Sequence, residues 1–449
     1  MSSEIFNDTV KSDKCIGSGG FGHIYEVNGT NLLRKETNIN FNENLREVCF
    51  LSTYKDVPFI AKFIKCEIDE TKNMIQLYME NAGNSLRELS KTLNTEDRIR
   101  LVPTILIQFA RILIWMKQEK IIHGDVKPAN ICMDKNLMIR LIDWGFVQKV
   151  YKGNKYTIGT EIFSEPEAYN GIRIDYESEL FAFGLSICYF LMSGMDYDNW
   201  EEFCCEYEKD DVDYESLNKR AIDILQLENL REKFRYVFGD YYYYDIIVSM
   251  LNLDKESRID DEELYDLCND ELKLKYPLIE CYSHCEEIIT TRLPEFQNIT
   301  DKNLGILYEW LLNLKFKLKI KASLFNATQI FFKYLHLKNT DKKHIQYIAI
   351  MCLYISNIMN NEYILDISKC AKICCEKDNS NMNMYLIDIL KTLDFKIFPE
   401  CENTEYNKKD EDVWKSLFLS SNIFCLPVID IKSFDHFYNI FKSEKKYTV

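Results

Sequence analysis

Residues 121–145 read IIHGDVKPANICMDKNLMIRLIDWG, from Ile121 to Gly145. The stretch holds Asp125 and Asn130, then a short alternating run through Met138, Arg140 and Ile142, then Asp143-Trp144-Gly145. Two carboxylates and a carboxamide on adjoining loops suit phosphoryl transfer. One acid accepts the proton of an incoming hydroxyl, and the other two groups hold the Mg²⁺ that neutralises a triphosphate.

Two fragments of this stretch carry a resemblance. His123-Gly124-Asp125-Val126-Lys127-Pro128-Ala129-Asn130 resembles the catalytic loop of protein kinases, and Asp143-Trp144-Gly145 is similar to their magnesium-binding DFG triplet. The resemblance implies Asp125 as base, Lys127 on the transferring phosphate, Asn130 and Asp143 as metal ligands, and His123 with Trp144 as packing elements. Lys127 two positions after the acid is the Ser/Thr arrangement, so Ser and Thr substrates are expected. Gly124 replaces the Arg that in this family clamps a phosphorylated activation loop, so loop phosphorylation is not expected to be the main switch. Glycine at this place resembles the vaccinia-related kinases, a branch near the casein kinases.

Working backwards, Ile16-Gly17-Ser18-Gly19-Gly20-Phe21-Gly22-His23-Ile24 fits G-x-G-x-x-G followed by an apolar residue. Glycines let backbone N–H groups approach a phosphate. In a dinucleotide fold a helix follows at once; here Ile24 to Val27 is strand-like and Asn28-Gly29 signals a hairpin. A kinase small lobe over residues 10–82 therefore makes Lys35 the grip on the α and β phosphates, Glu47 its carboxylate partner on a helix, and Ile16, Gly17, Gly19, Gly22 and Ile24 the nucleotide cover. Leu33 stands where the family has a small Ala over the adenine, and Cys132 where it has a larger floor residue. A large roof over a small floor is expected to conserve volume. Met79 is the expected gatekeeper, with the backbone near Glu80 and Ala82 meeting the adenine edge.

The large lobe is expected over residues 83–275. Apolar positions through 96–118 keep helical spacing. The activation segment, Asp143 to Glu167, ends in Gly159-Thr160-Glu161-Ile162-Phe163-Ser164-Glu165-Pro166-Glu167, similar to G-T-x-x-Y-x-A-P-E. That likeness places Thr160 beside Asp125 and Lys127 and pairs Glu167 with Arg258. Glu179, opening the helix to Met192, replaces an Asp that bonds the catalytic-loop backbone. Residues 201–215 form an acidic face, expected to be solvated.

The chain has 449 residues, too many for one ordinary core, and 47% hydrophobic with 13% aromatic residues marks it as globular. A net charge of −16 argues against coating nucleic acid or an anionic membrane and favours a basic protein substrate. The amino terminus shows no secretory signal, and the apolar runs Leu180 to Gly194 and Ile345 to Met359 fall short of the roughly 20 residues a bilayer span needs. Sixteen cysteines without a framework imply reduced thiols, hence cytosol or nucleus. Neither Cys281, His284 and Cys285 nor Cys370, Cys374 and Cys375 has the paired spacing of a structural zinc site.

Beyond a linker helix at 276–299, five helices are expected: Leu304 to Phe316, Leu324 to Leu335, Ile345 to Ile358, Ile364 to Cys375 and Asn383 to Leu393. Tyr308-Glu309-Trp310-Leu311-Leu312, Ser323 to Leu335, Ile348 to Ser356 and Ile389 to Phe395 resemble successive helices of a cyclin box, over residues 300–400. Asn357 stands at the Lys that in cyclins binds the kinase backbone, and Leu386 at its Glu partner, with Asp388 close by. Residues 401–449 form an extension. The expected architecture is an α+β two-lobed protein kinase fold followed by an all-α cyclin-box-like helical domain. Its expected activity is ATP- and Mg²⁺-dependent phosphorylation of protein Ser/Thr, with the cyclin-like domain acting in cis on the small lobe. The competing readings are a catalytically weak scaffold whose helical domain recruits a partner, on the strength of Leu33, Gly124 and Glu179, and a small-molecule kinase of the same fold.

Overall fold

The computed structural model describes residues 14–19, 22–150, 160–165, 175–192, 230–232, 234–236, 243–268, 270–278, 299, 301–320, 324–360 and 364–398. The acidic stretch 201–215, Glu167, residues 151–159, most of the linker 276–299 with Cys281, His284 and Cys285, and the extension 401–449 lie outside these. The chain forms two compact units, Met1–Tyr282 and Ser283–Val449.

The first unit opens with an antiparallel sheet of β1 (Lys14–Gly19), β2 (Gly22–Glu26), β3 (Leu32–Asn38), β4 (Phe63–Asp69) and β5 (Met74–Glu80), in the order β1-β2-β3-β5-β4. The Asn28-Gly29 signal is realised as the β2–β3 turn, with Gly29 at φ +73°. Gly22 is required where it stands: its φ is +135°, and a Cβ would sit 2.2 Å from the Glu36 carbonyl oxygen. Register puts Ile24 opposite Lys35, Lys35 opposite Leu77, and Leu33 opposite Met79. Since side chains alternate along a strand, Leu33 and Lys35 share the face that turns inward. Helix α1 (Asn42–Thr53) follows β3, and nine of its residues, including Arg46 and Glu47, are buried.

The large lobe is built on α3 (Thr95–Gln118) and α4 (Tyr176–Met192), with the short α2 (Leu86–Thr92) leading in. Ser85 and Glu88 close a capping box on α2, and the Asn94 side chain caps α3. Helix α3 is long and apolar enough to cross a membrane by length and composition, but 72% of its most apolar window is buried in the fold. Phe109 of α3 stacks on Phe183 of α4 at 3.6 Å, the signature of two core helices in contact. Short strands β6 (Asn84–Ser85), β8 (Ile131–Met133) and β9 (Ile139–Leu141) carry the loops of interest, and β7 (Ile121–Ile122) pairs with β10 (Gln148–Lys149).

Among the described residues of the second unit the α-helices are Asp301–Leu318, Leu324–Leu337, Ile345–Met359, Ile367–Ile373 and Ser380–Thr392. Ile345–Met359 is buried along nearly its whole length, so the other helices pack around it. The fourth helix is shorter than the Ile364 to Cys375 expected from periodicity. Asp366 caps it through the Lys369 N–H, and Cys375 takes a left-handed φ of +60°. Asn357 is fully buried, whereas Asp388 forms an ion pair with Lys338 and accepts a 2.6 Å bond from the Tyr334 hydroxyl.

Candidate active site

Lys35, on the inward face of β3, reaches two acids at once. Its ammonium lies 2.6 Å from Glu47 of α1 and 3.3 Å from Asp143. Burial alone would lower the Lys35 pKa, but the two carboxylates outweigh it and hold the pKa above the ordinary lysine value. Asp143 moves the opposite way: burial pushes it up, yet the ammonium groups of Lys35 and Lys127 bring it below the usual carboxylate range. Both groups are therefore charged at neutral pH. Asp143 has φ +62°, a left-handed conformation that Asp and Asn tolerate better than most residues, and it enters the 3₁₀ turn Trp144–Phe146.

The second constellation surrounds Asp125. Thr160 donates its hydroxyl to one Asp125 oxygen at 2.7 Å, and Lys127 donates to that hydroxyl at 2.7 Å and to the other Asp125 oxygen at 2.7 Å. Asn130 Nδ2 donates to the Asp125 backbone carbonyl at 2.9 Å and to its carboxylate at 3.0 Å. The amide oxygen of Asn130 is then the atom left to meet a cation. His123 contributes shape rather than charge. Its Nε2 faces the Ile142 carbonyl at 3.0 Å and its Nδ1 accepts the Asp125 N–H at 3.2 Å, which requires the neutral Nε2–H tautomer. Burial, which lowers its pKa against the pull of Asp125, fits that state.

Trp144 is fully buried in a cage of rings. It stacks on Phe50 of α1 at 4.3 Å and meets His123 edge-on at 4.5 Å, while its indole N–H donates to the Leu141 carbonyl at 3.0 Å. Gly124 has φ +81°, and a Cβ there would lie 2.9 Å from the Phe146 carbonyl oxygen, so a side chain at this place would be strained as well as crowded.

Of the residues expected to hold the nucleotide, Met79, Ala82 and Cys132 are buried, while Ile16 is 43% exposed at the outer edge of the glycine-rich hairpin. Gly17 pairs with Ile24, and Gly19 with Gly22, across that hairpin. The Glu80 N–H is already engaged by the Lys62 carbonyl at 3.0 Å. Burial pushes the Cys132 thiol up to about 12, so it packs as a small apolar group.

Arg258 pairs with Glu165, at 3.1 Å; the Glu167 that the motif likeness selected as its partner lies outside the described residues. Lys255 adds 2.7 Å to the Glu165 carboxylate and 3.0 Å to Asp175.

Glu179 resolves the Asp-to-Glu question in an uneven way. One of its oxygens accepts the Gly124 N–H at 2.7 Å, so the longer side chain still supports the catalytic loop, but the other is buried with no hydrogen-bond partner. A small cavity of about 20 Å³, room for one water, opens beside it between Asp125, Thr160, Glu165 and Ser178. Burial lifts the Glu179 pKa to about 8; the Gly124 N–H opposes the shift and Asp125 adds to it. Folded Glu179 therefore carries a proton that the unfolded chain lacks between its ordinary value of 4.5 and about 8. Its contribution to stability is complete below that window and is lost as pH rises through it. The melting temperature should fall more steeply from pH 5 to 8 in the parent than in Glu179→Gln, whose side chain does not titrate; parallel curves would show that Glu179 is already ionised.

Residues 10–267 match the family model described as "Protein kinase domain", and residues 279–398 match "Cyclin, N-terminal domain". The chain belongs to the protein kinase family. A probable serine/threonine-protein kinase of Dictyostelium discoideum is 26% identical over 200 residues, covering 41% of this chain and 22% of that protein. The G2-specific protein kinase fin1 of Schizosaccharomyces pombe is 26% identical over 212 residues, covering 39% of this chain and 29% of its own length. The serine/threonine-protein kinase dst4 of Dictyostelium discoideum is 27% identical over 188 residues, 38% of each chain. The chain thus spans well under half the length of these relatives. A protein kinase domain implies ATP and Mg²⁺ in general, and the oxygen donors of Asp143 and Asn130 are of the hard type that Mg²⁺ takes.

Proposed function

We propose that the protein is an ATP- and Mg²⁺-dependent serine/threonine protein kinase whose cyclin-like unit regulates the active site in cis. The observation that carries this reading is the double engagement of Lys35, at 2.6 Å from Glu47 and 3.3 Å from Asp143. Such an arrangement prepares a cation for the α and β phosphates and an acid for the metal.

In this reading Asp143 and the Asn130 amide oxygen hold Mg²⁺, which when bound neutralises charge developing on the transferred phosphoryl group. Asp125 receives the proton of the substrate Ser or Thr hydroxyl. Thr160 occupies the Asp125 oxygen that the substrate hydroxyl must reach, so substrate entry exchanges one hydrogen bond for another. Lys127, held by Asp125 and Thr160, is placed to meet the moving phosphoryl oxygens. The net charge of −16 suits a basic protein substrate.

The cis arrangement rests on the joining of the two units in one chain, which raises the effective concentration of the regulator to roughly the millimolar range. The target of regulation is α1, because it carries Glu47. Turnover by the whole chain should exceed that of residues 1–282 on the same peptide; equal rates would reject activation in cis. A thermal shift with ATP and Mg²⁺ tests the reading at its root, since a chain that gives none is a scaffold.

A further inference from the structure

Helix α1 is fastened to its surroundings through more than Glu47. Arg46 donates from its guanidinium to the Gly145 carbonyl at 2.5 Å, Phe50 stacks on Trp144, and Tyr54 at the helix end bonds Glu119 at 3.1 Å and accepts from Lys149 at 3.1 Å. Positions 46, 50 and 54 fall at helical spacing on one stripe. Two of these three ties land on the triplet that begins with Asp143.

Arg46 is the unusual member. It is fully buried, and a guanidinium cannot shed its charge by losing a proton. Removing such a cation from water costs several kcal/mol, and a well-packed apolar side chain would serve stability at least as well. What the guanidinium adds is direction: a charge-assisted bond to one carbonyl fixes the backbone that carries it. That carbonyl belongs to Gly145, two residues beyond Asp143, whose own left-handed backbone leads straight into the turn.

We propose that Arg46 is a positioning residue that fastens the metal-binding Asp143 to helix α1, so that the Lys35–Glu47 pair and the metal site assemble and separate as one unit. Trp144 anchors the middle of the triplet by non-directional packing, whereas the directional bond from Arg46 to the Gly145 carbonyl is what aims the Asp143 carboxylate. The inference rests on the kinase reading above and extends it. A regulator that displaces α1 by a fraction of a turn then withdraws Glu47 from the lysine and Asp143 from the metal together. Regulation of this enzyme acts on Mg²⁺ affinity as well as on turnover.

The test uses the full chain and titrates Mg²⁺ against the ATP-induced thermal shift, with steady-state phosphorylation of a peptide alongside. Arg46→Ala should raise the Mg²⁺ half-saturation by about 10-fold, as losing a partner behind a metal ligand commonly does. It should lower kcat while leaving the peptide KM in place. Arg46→Lys, able to give the carbonyl one bond, should recover most of the Mg²⁺ affinity. Phe50→Leu, a packing change against Trp144, should lower the nucleotide-free melting temperature without moving the Mg²⁺ curve. If Arg46→Ala does not fold, the longer apolar side chain of Arg46→Met replaces it with the same expectation. An unmoved Mg²⁺ curve in the Arg46 variants, or an equal shift in Phe50→Leu at matched loss of melting temperature, overturns the proposal. A parent chain that binds ATP with Mg²⁺ yet phosphorylates nothing sinks the kinase reading alone and leaves this comparison intact.

Discussion

Asp125→Asn is expected to lower kcat by about 10²–10⁴-fold, the usual yield of a positioned general base, while nucleotide binding stays near that of the parent. The reason is local. Asp125 receives Thr160 on one oxygen and Lys127 and Asn130 on the other, so an amide of the same shape keeps part of the network but cannot take up the substrate proton. Lys127 and Thr160 remain close to their present places in the variant. The measurement is a peptide phosphorylation assay paired with an ATP thermal shift. A variant that retains a tenth or more of parental turnover would mean that the reacting hydroxyl meets some other base.

Asp143→Asn should abolish the Mg²⁺-dependent part of the ATP thermal shift and reduce turnover on the order of 10²-fold or more, comparable to losing a charge stabiliser in a preorganised site. This substitution isolates charge from backbone strain. Asparagine accepts the left-handed φ of +62° as readily as aspartate does, so the turn into Trp144 persists. Lys35 keeps its 2.6 Å bond to Glu47, so the nucleotide-free melting temperature should change little. Removing Glu47 instead leaves a buried cation facing Asp143 alone and should cost about 3–5 kcal/mol of stability. Differential scanning fluorimetry with ATP, with and without Mg²⁺, reads both effects. An unchanged Mg²⁺ dependence in Asp143→Asn would remove this residue from the metal site.

How far each part was legible beforehand follows from where its constraint lies. The Asn28-Gly29 turn depends on a few neighbouring residues, so it could be anticipated from the chain. So could the packing role of Trp144, which the likeness of Asp143-Trp144-Gly145 to the DFG triplet implies. The bond from Arg258 to Glu165 could not, because it joins residues 93 positions apart and nothing near Glu165 in the chain singles it out. The fate of Glu179 was equally hidden: one oxygen reaches the Gly124 N–H and the other is left without a donor, which depends on how α4 packs beneath a loop 55 positions away. Arg46 reads along the chain as one charge in a helical segment, and its burial against Gly145 depends on a residue 99 positions away.

By itself, the order of residues determined the chemistry on offer: which cation, which acids and which amide stand on which loops, and that the described residues between 301 and 398 are built on helices. Those properties come from side-chain type and from short-range backbone preference, both of which act within a few positions. Tertiary structure decided the pairing: that Lys35 holds Glu47 and Asp143 together, that Arg258 takes Glu165, and that Arg46 spans from α1 to the Asp143-Trp144-Gly145 triplet. Charge and hydrogen-bond energies fall off within a few ångströms, so such choices are made only after burial of the core has brought distant segments into contact.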